Sequence, residues 1–170
     1  LLSDRSRFEF ALEKAVELGV TDFYPLLTAR TEKRTINKER LQSKAISALQ
    51  QCKRSKLIRI HKPIELKNIF ANHLVMADEE LNEESKPILS EYKSVILADE
   101  NGDSPESTKH LESVICVVGP EGGFTKDEVE LIASSDKTLF WNLGNRRLRT
   151  ETAAISVLSI TSLKIKQNNF

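Results

Sequence analysis

The chain has 170 residues, 39% hydrophobic and 29% charged. That length buries about 70% of the surface an unfolded chain exposes, so one compact domain is expected. Lys+Arg 25 balance Asp+Glu 25, and 6 Gly with 5 Pro exclude low-complexity and collagen-like classes.

Phe8, Ala11, Leu12, Ala15, Val16 and Leu18 recur at helical spacing, with Gly19 following as a stop, which predicts an amphipathic helix over residues 4–18. A strand over 23–28 follows. Leu41, Ala45, Ala48, Leu49 and Cys52 mark a second helix over 37–54, and 57–60 reads as a short strand. Pro63 sits at an N1-like position and predicts a short helix running to Phe70. Residues 73–79 (HLVMADE) and 94–100 (SVILADE) echo one another and predict two strand-then-helix units in tandem. The apolar run 114–118 suits a strand covered on both faces of a parallel sheet. Thr125 with Glu128 predicts a capping box that opens a helix through Ala133, then comes a strand over 138–143 and a final helix from Thr150. Alternating strands and helices in the second half give the fold class: α/β, a mostly parallel sheet flanked by helices.

The neutral total hides a polarised chain. Residues 30–67 carry twelve Lys/Arg against three acids, and residues 78–112 carry eleven acids against three Lys. Too few acids accompany the first group to pair it, which favours contacts with nucleic-acid phosphates through Arg30, Lys33, Arg34, Lys53 and Arg54 over a merely solvated face. Cys52 and Cys116 lie far apart within apolar surroundings, so a reducing cytoplasm is expected rather than a disulfide framework. No apolar run approaches the ~20 residues of a membrane span. His61, His73 and His110 lack metal-ligand spacing, and no metal is expected. Trp141 belongs with the core, given its place in a strand.

In open α/β sheets ligands bind beyond the carboxyl ends of strands. Three segments fall there: 97–100, 119–124 and 143–152. Gly119-Pro-Glu-Gly-Gly-Phe124 lacks the spacing of a P-loop or of a dinucleotide fingerprint, so its glycines either turn the chain or let its backbone approach a ligand. Arg146, Arg147 and Arg149 precede a helix start, where cations oppose the helix dipole, so an anionic partner explains them better than stability does.

The glycine segment after an apolar strand, followed by Leu143-Gly-Asn-Arg-Arg-Leu-Arg-Thr-Glu-Thr-Ala-Ala154, resembles the SPOUT superfamily and specifically the bacterial 16S rRNA uracil-N3 methyltransferases. Residues 7–20 resemble the first helix of that family's catalytic domain, and Gln50-Gln-Cys-Lys-Arg54 its Glu-Gln-x-x-Arg element, with Gln50 standing where the family usually has Glu. The resemblance spans essentially the whole chain. It implies a SPOUT-type catalytic domain over 1–170 with a C-terminal trefoil knot, S-adenosyl-L-methionine (SAM) as cofactor, a homodimer, and 16S rRNA or the small ribosomal subunit as partner. Family members also carry an N-terminal PUA-like RNA-binding domain. This chain starts at Leu1 where that domain would end, which suggests a trimmed or partial protein.

By the same resemblance, Gly119, Glu121, Gly122 and Gly123 form one wall of the SAM pocket, and Leu143, Gly144, Leu148, Arg149, Thr150 and Thr152 another. Leu97, Ala98, Asp99 and Glu100 form the first knot loop, with Ala77, Asp78 and Glu79 as runner-up. Arg149, with Arg147, would stabilise charge on the uracil carbonyls, and Glu151 is a candidate base. Two alternatives stay open: a related enzyme acting on another RNA base or a ribose 2′-hydroxyl, and a non-catalytic RNA-binding or assembly module.

Overall fold

A computed structural model describes residues 2, 4–32, 34–70 and 88–165. Helix α1 spans Arg5–Glu17, and its N-cap Asp4 accepts hydrogen bonds from the backbone N–H of Ser6 at 2.8 Å and Arg7 at 3.3 Å. These bonds satisfy two of the donors that every helix start leaves unpaired. Helix α2 spans Lys38–Gln51, with the Asn37 side chain accepting from Arg40 N–H at 2.9 Å.

Leu12, Ala15 and Val16 on α1 meet Leu41, Ala45 and Ala48 on α2, all buried, and Ile58 and Ile60 close that cluster. Each Leu, Ile or Val buried in this way contributes roughly 1.5–3 kcal/mol. Polar groups run beside the apolar seam. Arg40 holds both oxygens of the buried Glu9, and Lys44 reaches Glu13 at 3.1 Å. The Arg40 hydrogen bonds hold the Glu9 carboxyl below its ordinary pKa.

The expected strand over 23–28 is split by Pro25 into β1, Asp22–Phe23, and β2, Leu26–Leu27. β1 pairs in parallel with β3, Arg59–Ile60, and β2 pairs in parallel with β4, Ile64–Glu65. Pro63 therefore does not open a helix. Strand pairing with Leu26 and Leu27 claims Ile64 and Glu65, and the helix α3, Leu66–Phe70, starts only afterwards. Residues 73–79, the first half of the internal echo, lie outside the described residues.

The main sheet has strand order β6-β5-β7, all parallel: β5 is Ser94–Asp103, β6 Val114–Val117 and β7 Thr138–Trp141. Val95, Ile96 and Leu97 of the central strand are completely buried. One face packs on Phe70, Leu89 and Ile132, the last from α4, Lys126–Ala133. The other packs on Leu111 and on Val157 of α5, Thr150–Lys164. Both faces of β6 are covered, as its continuous apolar run predicts. Trp141 is 1% exposed, with its indole N–H donating to Thr108 Oγ1 at 3.1 Å.

Past Ala98 the register of β5 against β7 shifts, and Asp103 faces Trp141. A Cβ on Gly102 would stand 2.6 Å from the Phe140 carbonyl carbon and 2.8 Å from the Trp141 nitrogen, so only glycine fits there. Asn142 then ties the two segments, its N–H to Asp103 O at 2.8 Å and its amide to Glu100 O at 2.7 Å. Cys52 and Cys116 are both free, and burial pushes the Cys116 thiol up to about 11. No helix among the described residues is long and apolar enough to cross a membrane.

Candidate functional site

Because β5, β6 and β7 are parallel and adjacent, their carboxyl ends lie at one end of the sheet. The glycine segment 119–124 and the arginine segment 143–152 follow β6 and β7 at that end, whereas 97–100, expected as a loop, lies within β5, because the strand runs on to Asp103. β5 is central, so the two loops flank its Leu97–Ala98 stretch on either side.

The glycine loop leads into α4 through the predicted capping box: Thr125 Oγ1 accepts from Glu128 N–H at 3.3 Å, and Glu128 Oε2 accepts from Thr125 N–H at 2.8 Å. Glu128 does more than cap. Its Oε1 accepts from Ala29 N–H at 2.7 Å, which fastens the loop after β2 onto α4. That loop is rigid in its own right, since the Thr31 hydroxyl accepts from Thr28 N–H at 2.8 Å and contacts Thr28 Oγ1 at 2.9 Å, with both residues buried. From it Arg30 donates to the carbonyls of Gly122 at 2.6 Å and Phe124 at 3.2 Å. A Cβ on Gly122 would stand 3.2 Å from the Arg30 side chain, so glycine there lets the arginine lie against the loop.

Gly123 has φ +68° and Gly144 φ +121°, conformations that L side chains rarely adopt. A Cβ built on either would meet nothing within 4 Å, so both glycines show open backbone. In the third segment Leu97 is fully buried in the core and offers only its backbone, while Asp99 turns to accept from Asn101 N–H at 2.8 Å. Residues 77–79, the other candidate for this loop, lie outside the described residues.

Arg149 is the N-cap of α5 and makes no side-chain capping bond. The side chains of Arg146, Arg147 and Arg149 are exposed, with no hydrogen-bond or ion-pair partner among the described residues. Glu151 is different. It is 8% exposed, and its Oε2 has no hydrogen-bond partner among the described residues, with Arg7 Nη1 standing 3.6 Å away. Arg7 also reaches Glu121 of the glycine loop through Nη2 at 3.3 Å. Thus a residue of α1 touches both motif segments, which no spacing rule announced. Arg30 was expected on RNA, not on Gly122, and the buried Thr28 and Thr31 escaped notice altogether. The one visible signal for these two threonines was a Thr-x-x-Thr turn just beyond a strand.

Among the remaining cations expected on RNA, Arg54 donates to the carbonyls of Val16 at 2.6 Å, Val20 at 3.1 Å and Gly19 at 3.3 Å, at the carboxyl end of α1. Arg34 makes a long pair with Glu65 at 3.5 Å, the Lys53 side chain is exposed with no partner among the described residues, and Lys33 lies outside them. Two cavities, of about 210 and 230 Å³, lie beside this arrangement. The first sits between α1 and α2 at Arg5, Glu9 and Arg40, and the second beside Thr28, Ala29, Glu65 and Glu128. No group of three or more His, Cys, Asp or Glu among the described residues is placed to hold a metal.

The chain is 33% identical over 157 residues to the ribosomal RNA small subunit methyltransferase E of Rickettsia conorii, covering 91% of this chain and 59% of that protein. Among solved structures, a putative methyltransferase of Legionella pneumophila in complex with SAM matches with TM-score 0.78 and 27% identity, over 97% of this chain and 64% of that one. A ribosomal RNA small subunit methyltransferase E of Neisseria gonorrhoeae bound to SAM matches with TM-score 0.76 and 26% identity, over 96% and 62%. The chain spans about three fifths of the length of these relatives. Residues 1–162 match the model of the RNA methyltransferase domain. With the parallel sheet and the two loops at its carboxyl end, that match assigns the chain to the RNA methyltransferase domain family.

Proposed function

We propose that the chain is the catalytic domain of a SAM-dependent methyltransferase that methylates N3 of a uridine in 16S rRNA. One observation carries this: an open glycine loop and a loop whose arginine side chains meet no partner among the described residues flank one parallel strand, in a chain of the RNA methyltransferase family. The solved relatives that hold SAM, and the small-subunit rRNA named for the relative in Rickettsia conorii, support the cofactor and the substrate.

The residues present fit SAM. Open backbone at Gly123 and Gly144 admits a ligand edge. Gly119, Glu121, Gly122 and Gly123 would hold it on one side, Leu143, Gly144, Leu148, Arg149, Thr150 and Thr152 on the other, and the 97–100 segment between them. When bound, SAM supplies an electrophilic methyl group on a sulfonium.

The chain's own residues must then favour the uracil anion, because the lone pair of a neutral imide nitrogen is delocalised into its two carbonyls. Arg149, assisted by Arg147, donates to the carbonyl oxygens where charge develops, and such preorganised donors are typically worth on the order of 3–4 kcal/mol. Holding N3 in line with the methyl group supplies further acceleration by orientation. Of the two roles open to Glu151, proton acceptor and counter-ion, burial and the neighbouring Arg7 favour counter-ion. The N3 proton then leaves to water.

Arg34 and Lys53 are the expected RNA contacts that the fold leaves to solvent, whereas Arg30 and Arg54 direct their guanidinium donors into the protein. A homodimer belongs to the same reading. The apolar residues of α5 are not gathered on one face, and the helix leaves Leu163 88% exposed.

Calorimetric titration with SAM tests the cofactor, and absence of binding removes the enzyme reading in favour of the non-catalytic module. Mapping methylated nucleosides in small-subunit RNA from cells lacking the protein tests the base, since loss of a ribose or other base methylation would replace N3. Arg149→Ala is expected to lower methyl transfer at least a hundredfold. Its melting temperature should stay within about 2 °C of the parent, because the side chain is exposed and has no partner among the described residues.

A further inference from the structure

We propose that Arg7 is a positioning residue for the methyl-transfer site, a clasp that fixes the distance between the glycine loop and the start of α5; this rests on the function proposed above. All three guanidinium nitrogens face carboxylates from different parts of the chain: Nε faces Asp4 Oδ2 at 3.5 Å, Nη2 Glu121 Oε1 at 3.3 Å and Nη1 Glu151 Oε2 at 3.6 Å.

Asp4 is itself held, its other oxygen engaged by the N–H groups of Ser6 and Arg7, so the stem of the arginine starts from a fixed turn. Glu121 and Glu151 belong to the two segments assigned to opposite walls of the cofactor pocket, and no strand pairing joins those segments directly, since β5 separates β6 from β7. Arg7 spans that gap from outside the sheet. A planar fork of five N–H donors suits several carboxylates at once, which a lysine ammonium on its flexible stem does not. The Glu151 side chain is 11% exposed and its Oε2 accepts no hydrogen bond among the described residues, so Arg7 supplies the positive charge beside a carboxylate that water barely reaches. An ordinary surface ion pair would leave both partners in solvent and would hold nothing in place. Here one partner is buried at a helix start and the other sits on a loop whose backbone is open to a ligand.

The test uses the full-length protein, parent and Arg7→Met, with Arg7→Lys as the conservative control. SAM affinity is measured by calorimetry at a temperature where all three are folded by circular dichroism. Amide hydrogen exchange is followed at 121–123 and 150–153 without cofactor. The expected result is a SAM dissociation constant raised about tenfold in Arg7→Met and only partly restored in Arg7→Lys. Amide exchange should be faster in both segments and unchanged in α2. If Arg7→Met cannot be obtained folded, Glu121→Gln severs the loop arm alone, and faster exchange at 150–153 as well as 121–123 is then expected. Unchanged SAM affinity and unchanged exchange in a folded variant would overturn the clasp. A parent protein that fails to bind SAM would instead overturn the function on which it rests, and exchange would still report whether Arg7 couples the two segments.

Discussion

Asp22 offers a quantitative check on how the N-terminal half is held together. Its side chain is 7% exposed and receives Arg59 Nε and Nη2 at 2.7 Å each, with His61 Nε2 at 2.9 Å. The His61 ring stacks on Tyr24 at 4.0 Å between centroids, so the acceptor, the cation and the aromatic pair brace β1 against β3. Burial alone would push the Asp22 carboxyl up, but hydrogen bonds from Arg59, His61 and Thr21 outweigh it and bring it from 3.8 down to about 2.

A carboxyl depressed in the folded state stabilises the protein above its unfolded pKa and loses that contribution as pH falls through the folded value. Linkage gives about 2 kcal/mol at pH 7 after allowance for the exposure of Arg59, of which about 1 kcal/mol has gone by pH 3. Asp22→Asn cannot titrate. It should lower the melting temperature by about 4–8 °C at pH 7. Between pH 7 and 3 its stability should fall by about 1 kcal/mol less than that of the parent in urea titrations. Parallel pH curves for the two proteins would refute the assignment.

Two further substitutions probe the frame around the site. Arg54→Met strips three carbonyls at the end of α1 of their charged donor and should cost about 1.5–3 kcal/mol, read as a lower urea midpoint at unchanged slope. Gly102→Ala places a methyl group against the peptide joining Phe140 to Trp141, backbone that cannot rotate away, and should cost more than about 3 kcal/mol. Gly123→Ala, in open space, should cost only about 1 kcal/mol for its left-handed backbone, and the contrast in melting temperature checks both.

Helix starts were legible in the sequence because they are written in neighbouring residues: Asp4, Asn37 and the Thr125–Glu128 box all act where their spacing places them. Pro63 misled for the opposite reason. Its local preference for a helix start yielded to pairing with residues almost forty positions earlier, and no local rule reports that pairing. Nothing local marks Gly102, yet β5 runs on through it across the end of β7 because glycine permits the close approach.

The same limit applied to the site. Its glycine and arginine segments carry their chemistry in their own composition, and the family match over residues 1–162 agrees with the resemblance they suggested. The residues that fasten them, Arg7, Thr28, Thr31 and Arg30, act across about ninety positions or more, or through a turn with no special composition. Counting cations likewise flagged a basic segment without revealing that Arg30, Arg54 and Arg59 already had partners within the protein.

The order of the main sheet also governs how the chain is born. β5 emerges from the ribosome before either of its neighbours, and Val95 waits for Ile115 on one side and Thr138 on the other. Until both arrive, a strand with a buried apolar stretch at residues 95–97 has two bare hydrogen-bonding edges, the arrangement most prone to joining the wrong chain. Parallel partners this distant make for slow closure. Nascent chains stalled before residue 138 should therefore depend on holdase chaperones, and chains released beyond residue 141 should not.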